Sequence, residues 1–510
     1  MVIAPAERRT IWALTALVAL CYLWAFPYFR GIKHANELPR IYLSRAIVLE
    51  RSFRVDRGVA EDGATADLSV KDGHFYANKA PGVSLLGAPF EAVLRLAYAG
   101  RPVPVFIETW WLRLWCAIVP AVLAVPLLYR LLRGFSIAPA AAFGATALFA
   151  LGSGGTPYAV QLMAHHLAGV LLLGALVCGE QGACRKAAAG AGALLAGSVL
   201  VEYQAAFFGF PLGIYLLWRM RQPRWTARGL LDHPWAFLAL GAGPPLALLL
   251  GYHAACFGNP FRTGYDYAAT AAFAAGHEKG LLGLERPELE RLLGSLVGAR
   301  TGLLTVTPAL VLAPAGLVLA WRTRRALAIT LAASAAIALG FASGYHFWDT
   351  GWTVGQRYIA AATPLLVLPL AFVLDRALRT PVLLAPLLGL FAASVVLALS
   401  STLAFPHWPD SIGNPLHDLV WPLYRSGHTP YSIGHTLGLP GALALVPPLL
   451  VGLGLVLAPA RAAGRLAPVV VVAALLVAAL PIANVYRLDR KDPPRAEQAR
   501  AFIERIWEPR

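Results

Sequence analysis

Between Asn36 and Pro89 the chain sets out Asn36-Glu37-Leu38-Pro39-Arg40, an acid-rich piece from Asp56 to Asp72, and Asp72-Gly73-His74-Phe75-Tyr76-Ala77-Asn78-Lys79-Ala80-Pro81-Gly82. Almost everything around this stretch is apolar. Carboxylates can take up protons, and guanidinium and ammonium groups pair with oxyanions. Ionisable residues this dense, held beside a membrane, are the default site of function. Further along stand Tyr345-His346-Phe347-Trp348-Asp349-Thr350-Gly351-Trp352 and Gly355-Gln356-Arg357-Tyr358, whose Arg357 opens a predicted helix, a place that favours anions. His165-His166, Glu202-Tyr203, Tyr265-Asp266-Tyr267 and Arg300 complete the polar residues beside predicted spans. Neighbouring histidines point to different faces of a helix, so His165 and His166 do not share one ion. The turn from Gly152 to Thr156 lacks the lysine of a phosphate loop.

The elements that must position these groups are membrane spans. Of 510 residues, 58% are hydrophobic and 14% charged, and the mean hydropathy is +0.61, more apolar than a soluble chain of this length requires. Apolar runs long enough to cross a hydrocarbon core of about 30 Å recur from Ile11 to Ala483. The net charge of +16 is gathered in short loops, at Arg130/Arg133, Arg185/Lys186, Arg219 to Arg228, Arg322/Arg324/Arg325, Arg376/Arg379 and Arg461/Arg465. That is the pattern of cytoplasmic loops, and it argues against nucleic acid as a partner. The five cysteines form no CxxC pair and lie mostly in apolar runs, which points to neither a disulfide framework nor a metal site.

With Glu7-Arg8-Arg9 inside, Ile11 to Phe29 reads as an uncleaved first span that delivers residues 30–104 to the outer face. Val83 to Ala99 would reverse the charge bias of every later loop if it crossed. It is therefore expected to lie at the interface, interrupted by Pro89, Glu91 and Arg95. The remaining runs bring the total to about thirteen transmembrane helices. The expected fold is an all-α polytopic membrane protein, with one transmembrane domain over 1–483 and a short extracytoplasmic tail over 484–510. The outer loops carry the Tyr, Trp, His and acidic residues, so chemistry is expected on that side.

Asn36-Glu37-x-x-Arg40-x-Tyr42-x-x-x-Ala46, then Tyr76-x-x-Lys79-x-Pro81, then an amphipathic stretch, resembles the first outer loop of GT-C membrane glycosyltransferases. The nearest groups are the lipid A aminoarabinose transferases and the protein O-mannosyltransferases, of the glycosyltransferase 39 type. The resemblance covers the first hundred residues best. It implies a bacterial-type inner (cytoplasmic) membrane protein with its N-terminus in the cytoplasm and a juxtamembrane helix in the first outer loop. It also implies a polyprenyl-phosphate sugar donor and a lipid, glycan or protein acceptor on the outer face. Two positions depart from the pattern: the acidic residue that opens the family motif is Asn36 here, and Asn78 precedes the lysine. An amide is no useful base near pH 7, so the resemblance leaves Glu37 as catalytic base, with Asp56 and Asp67 in reserve.

By the same resemblance Arg40, Lys79 and Arg357 bind the donor phosphate, with Tyr76 and His74 as hydrogen-bond donors. Taken alone, Glu37 and Arg40 also stand at the spacing of a helical ion pair, and Arg40 and Lys79 also suit lipid headgroups. No cofactor or metal is required, although Asp56, Glu61, Asp62, Asp67 and Asp72 leave a divalent cation open. The alternatives are a transporter or lipid flippase, which would place polar residues in mid-span, and a catalytically inactive relative serving envelope assembly.

Overall fold

A computed structural model describes residues 5–507 apart from 30, 33 and 222–232, so most of the basic run from Arg219 to Arg228 lies outside the described residues. In chain order, α1 is Pro5–Leu23, α2 Leu38–Glu50, α3 Asp56–Asp62, β1 Leu68–Lys71, β2 His74–Ala77 and α4 Gly82–Ala97. A long helix, α5 (Val105–Gly134), contains a π-turn at Leu114–Ile118. Then follow α6 Pro139–Leu151, α7 Ala164–Glu180, α8 Arg185–Val201, α9 Ala205–Arg219, α10 Pro234–Phe257, α11 Leu289–Val297 and α12 Pro308–Thr323. The chain continues through α13 Arg325–Gly344, α14 Arg357–Ala377, α15 Pro381–Ala404, α16 Val446–Leu457, α17 Ala467–Asn484 and α18 Pro493–Arg505.

Among the described residues, six helical stretches are long and apolar enough to cross a membrane: α5, α10, α13, α14, α15 and the continuous run Gly441–Arg487 that contains α16 and α17. The helices α6, α7, α9 and α12 are apolar but shorter. The thirteen crossings expected from the sequence exceed these six stretches and four shorter helices. Between α16 and α17 the backbone breaks at Gly464, with φ 58° and ψ −122°, which separates two apolar runs.

The outward faces of α10 and α17 expose Leu240, Leu246, Leu248, Leu475, Leu476 and Leu480. Polar backbone on the same faces is hidden by intrahelical hydrogen bonding, as a lipid solvent demands. Where lipid competes for apolar contact, helices gain by close approach through small residues. Gly192 of α8 and Gly241 of α10 meet in this way: a Cβ on either would fall about 2 Å from a carbonyl oxygen of the facing helix, Leu238 or Ala189.

Over one end of this bundle sits the layer 30–104. Its α2 starts with Pro39 in the first turn, where the missing N–H costs no hydrogen bond. The hydroxyls of Ser44 and Ser84 both donate to the Arg40 carbonyl at 3.0 Å, pinning α4 against α2. As expected for a two-faced helix, α4 buries Val83, Ala88, Glu91 and Leu94 and exposes Leu86, Val93 and Leu96. The acid-rich piece is more than solvated charge. Glu61 and Asp62 each hold Arg45 at 2.9 Å, and Arg45 also grips the fully buried Glu108 at the start of α5. Arg95 of α4 closes the network on Glu91 (2.5 Å) and Glu108 (2.8 Å). Burial and the neighbouring Glu108 push the Glu91 carboxyl up to about 7.

Candidate active site

The hairpin β1–β2 turns at Asp72-Gly73, both with positive φ (51° and 78°), the two-residue turn that suits the twist of antiparallel strands. Leu68 pairs with Ala77, so Asp67 on one side and Asn78-Lys79 on the other meet at the open end of the hairpin. Lys79 Nζ lies 2.9 Å from Asp67, with both side chains mostly buried. The segment after α10 docks on the outer edge of the same hairpin. Ser69 donates to the Gly264 carbonyl at 2.7 Å and the Ala269 N–H to Leu68 at 2.9 Å. This places the Tyr265 ring 5.2 Å from Lys79 Nζ.

Lys79, Asp67 and Tyr265 line a small polar cavity of about 30 Å³ that also takes in Asn36, His165, Glu202, Tyr345, Arg357 and Tyr358. Arg357 stands at the start of α14, its guanidinium stacked 4.6 Å above the Tyr358 ring. Gln356 holds the approach by donating to Ser295 Oγ (2.8 Å) and to the Trp348 carbonyl (3.1 Å). Gly351 (φ 90°) passes so close that a Cβ there would strike the Arg357 guanidinium. Arg40, almost wholly buried, donates to both the backbone and the side-chain oxygen of Asn36. Its Nε, like the Nε of Arg357, has no protein partner.

Three cations thus surround two carboxylates, Asp67 and Glu202. Burial would raise Asp67, but Lys79 and then Arg357 and Arg40 hold it below the usual range. Glu202, in the turn between α8 and α9, is raised by burial, with Arg40, Lys79 and Arg357 opposing. Its Oε2 lies 3.2 Å from His165 Nδ1. Of the two, Glu202 has the greater affinity for a proton. The excess of positive charge and the unpartnered guanidinium nitrogens make the cavity an oxyanion site.

Glu37 faces another chamber. Its partner is Arg113 of α5, not Arg40: Nε donates to Oε1 at 2.8 Å and Nη2 to Oε2 at 2.6 Å. The Leu162 N–H adds a third bond at 2.6 Å. Burial raises the Glu37 carboxyl, but Arg113 outweighs it and holds the group far below its ordinary value. A carboxylate so tied accepts a proton poorly. His34 and His407, with rings 4.5 Å apart, share this chamber, and burial lowers both.

The chambers are neighbours. The Glu37 chamber shares Ile32 and His34 with an outer cavity, and that cavity shares Asn36, Asp67 and Arg357 with the oxyanion site. The Glu37 chamber also shares Tyr28 and Arg113 with a groove of about 310 Å³ whose walls are Tyr22, Leu23, Phe26, Phe106, Ile107 and Trp110.

Of the residues singled out in the sequence, Arg40, Lys79, Arg357 and the reserve carboxylate Asp67 come together. His74 and Asp56 instead pair with each other at 2.9 Å on a half-exposed surface, and Asp56 also accepts from the Phe75 N–H. Tyr76 packs on Phe257 in a small apolar cluster and does not line the cavity. Glu202, Tyr265, Tyr345 and Tyr358, noted in the sequence beside predicted spans but given no role in the chemistry, line the same cavity. A carboxylate at the outer end of a span was the available signal for Glu202. Among the described residues, no three His, Cys, Asp or Glu side chains are grouped to hold a metal ion.

The chain matches no family model and no curated protein. Its structure is similar to that of ArnT from Cupriavidus metallidurans in the apo state, at 17% identity and a TM-score of 0.49 over 94% of this chain and 77% of that one. The same protein bound to undecaprenyl phosphate is similar at 17% identity and a TM-score of 0.48, over 95% and 79% of the two chains.

Proposed function

We propose that this chain is a GT-C type glycosyltransferase that moves a sugar from a polyprenyl-phosphate donor to an acceptor hydroxyl or amine. It works at the outer face of a cytoplasmic membrane, with its N-terminus inside. The observation that carries this reading is the meeting of Lys79 and Arg357 at one buried cavity, with Arg40 bonded behind its Asn36 wall and an apolar groove in the same region of the fold. A prenyl chain suits the groove, and its phosphate suits the cations.

In this reading the bond between the sugar's anomeric carbon and the phosphate oxygen breaks, and the phosphate keeps the electron pair. Arg40, Lys79 and Arg357 stabilise that charge. The acceptor oxygen or nitrogen forms the new bond to the anomeric carbon, and its proton passes to Glu202, the carboxylate whose burial raises its proton affinity. Asp67 holds Lys79 in place. Glu37, offered as base by its motif, fixes Arg113 where the groove meets the chambers.

The test is binding and turnover of radiolabelled polyprenyl-phosphate sugars by purified protein in lipid, comparing wild type with Lys79→Ala. The reading predicts transfer by the wild type and a donor requirement raised at least tenfold in the variant. Absence of binding across a broad donor panel would favour transport instead.

A further inference from the structure

A second cleft of about 470 Å³ opens between α11, the loop before α14 and the start of the C-terminal segment. It shares Asp410 with the outer cavity, which in turn contains Asn36, Asp67 and Arg357. The oxyanion site therefore lies one cavity away from a cleft walled largely by polar side chains.

The polar cleft has a specific chemistry. Among the described residues, nine-tenths buried Arg300 makes no side-chain hydrogen bond and has a 3.9 Å contact with Asp349, so its fork of donors faces the cleft. Asp349 and Asp410 present acceptors beside it, and among the described residues Asp410 accepts from the Gly351 N–H alone, at 3.3 Å. Trp348, seated against Gly294, supplies a flat apolar wall. Asp489 and Asp492 extend the acidic wall, and in all carboxylates outnumber cations around the cleft. A fork of donors beside paired acceptors and an indole face matches vicinal hydroxyls on a sugar ring. The excess of carboxylates opposes a phosphorylated group.

We propose that this cleft is the acceptor subsite and that its acceptor is a hydroxyl-rich, unphosphorylated glycan end. This rests on the transferase reading above. One hydroxyl of the glycan reaches the anomeric carbon, forms the new C–O bond as the phosphate departs with the old bonding pair, and yields its proton to Glu202.

The test uses the full chain in lipid nanodiscs and saturation-transfer NMR. Cellotetraose, mannotetraose, galactotetraose and chitotetraose are the neutral probes, and mannose 6-phosphate is the phosphorylated one. Wild type, Asp410→Asn and Asp349→Asn are compared, with binding of undecaprenyl phosphate measured on each. The expected result is saturation of at least one neutral oligosaccharide, reduced fivefold or more by both substitutions, with undecaprenyl phosphate binding unchanged. The proposal is overturned if protein that binds undecaprenyl phosphate saturates none of the four or is indifferent to both substitutions. Stronger engagement of mannose 6-phosphate would overturn it as well. Failure of the transferase reading shows separately, as loss of undecaprenyl phosphate binding by the wild type.

Discussion

Glu202 and Asp67 are both buried carboxylates in one cavity, yet their surroundings drive them apart. Lys79 lies 2.9 Å from Asp67 and depresses it, whereas burial dominates at Glu202 and raises it above 4.5. A base must be ionised to work, so the acid limb of kcat/KM is expected above pH 4.5, and activity should fall as pH drops through it. Glu202→Gln should lower kcat by about 10²-fold or more while donor binding persists, the loss typical of a missing general base. A pH–rate profile and donor titration on that variant check both statements, and unchanged turnover would remove Glu202 from the role. At this scale the sequence was partly legible. Arg40 and Lys79 could be named because they stand in a motif that resembles the first outer loop of GT-C transferases, and Arg357 because it opens a predicted helix. The partners of Glu37 and His74 could not, because Arg113 is 76 residues from Glu37, and the Asp56–His74 pairing depends on how the hairpin folds back.

Arg113 does for α2 and α5 what Arg45 does for α2, α3 and α5: it converts a buried charge on one element into a fixed distance to another. It holds Glu37 bidentately and donates to the Pro27 carbonyl at 2.8 Å. Arg113→Met leaves Glu37 buried and unpaired and should cost about 3–5 kcal/mol, read as a lowered unfolding midpoint in detergent. Adding Glu37→Gln should recover part of that loss, which a purely steric defect at position 113 would not allow. The pH sign follows from the depressed Glu37 carboxyl. The pair's stabilisation is present above the ordinary value of 4.5 and is lost as pH falls toward the folded-state value. Element boundaries were well marked where Pro or Gly stood at them, as with the break at Gly464 between α16 and α17. The hairpin 68–77 was hidden inside a stretch read as an outer loop. Its Asp72-Gly73 turn between alternating residues was the sign, but four-residue strands give little periodicity.

For the whole molecule, the proposed topology puts the start of α1 and the α7–α8 connection on the cytoplasmic side. Cys184 in that connection is exposed, whereas Cys21, Cys116 and Cys256 are buried. A membrane-impermeant maleimide should therefore label Cys184 in inside-out vesicles and not in intact spheroplasts; the reverse pattern would invert the topology. The composition made a helical membrane bundle legible, because apolar runs of spanning length are unlike anything a soluble chain needs. It left the number of crossings open, since α6, α7, α9 and α12 are shorter than a full span. It could not show that Lys79 and Arg357 meet at one cavity together with Glu202. That meeting depends on packing the hairpin layer over α8, α9 and α14.

The account depends most on those cations holding a phosphate at the meeting point. The measurement is equilibrium binding of a polyprenyl phosphate to the full chain in nanodiscs, for wild type and for Arg40→Gln/Lys79→Ala/Arg357→Gln. The account predicts saturable binding by the wild type, weakened at least a hundredfold in the triple variant with the fold retained. Equal affinity in the two proteins would contradict it.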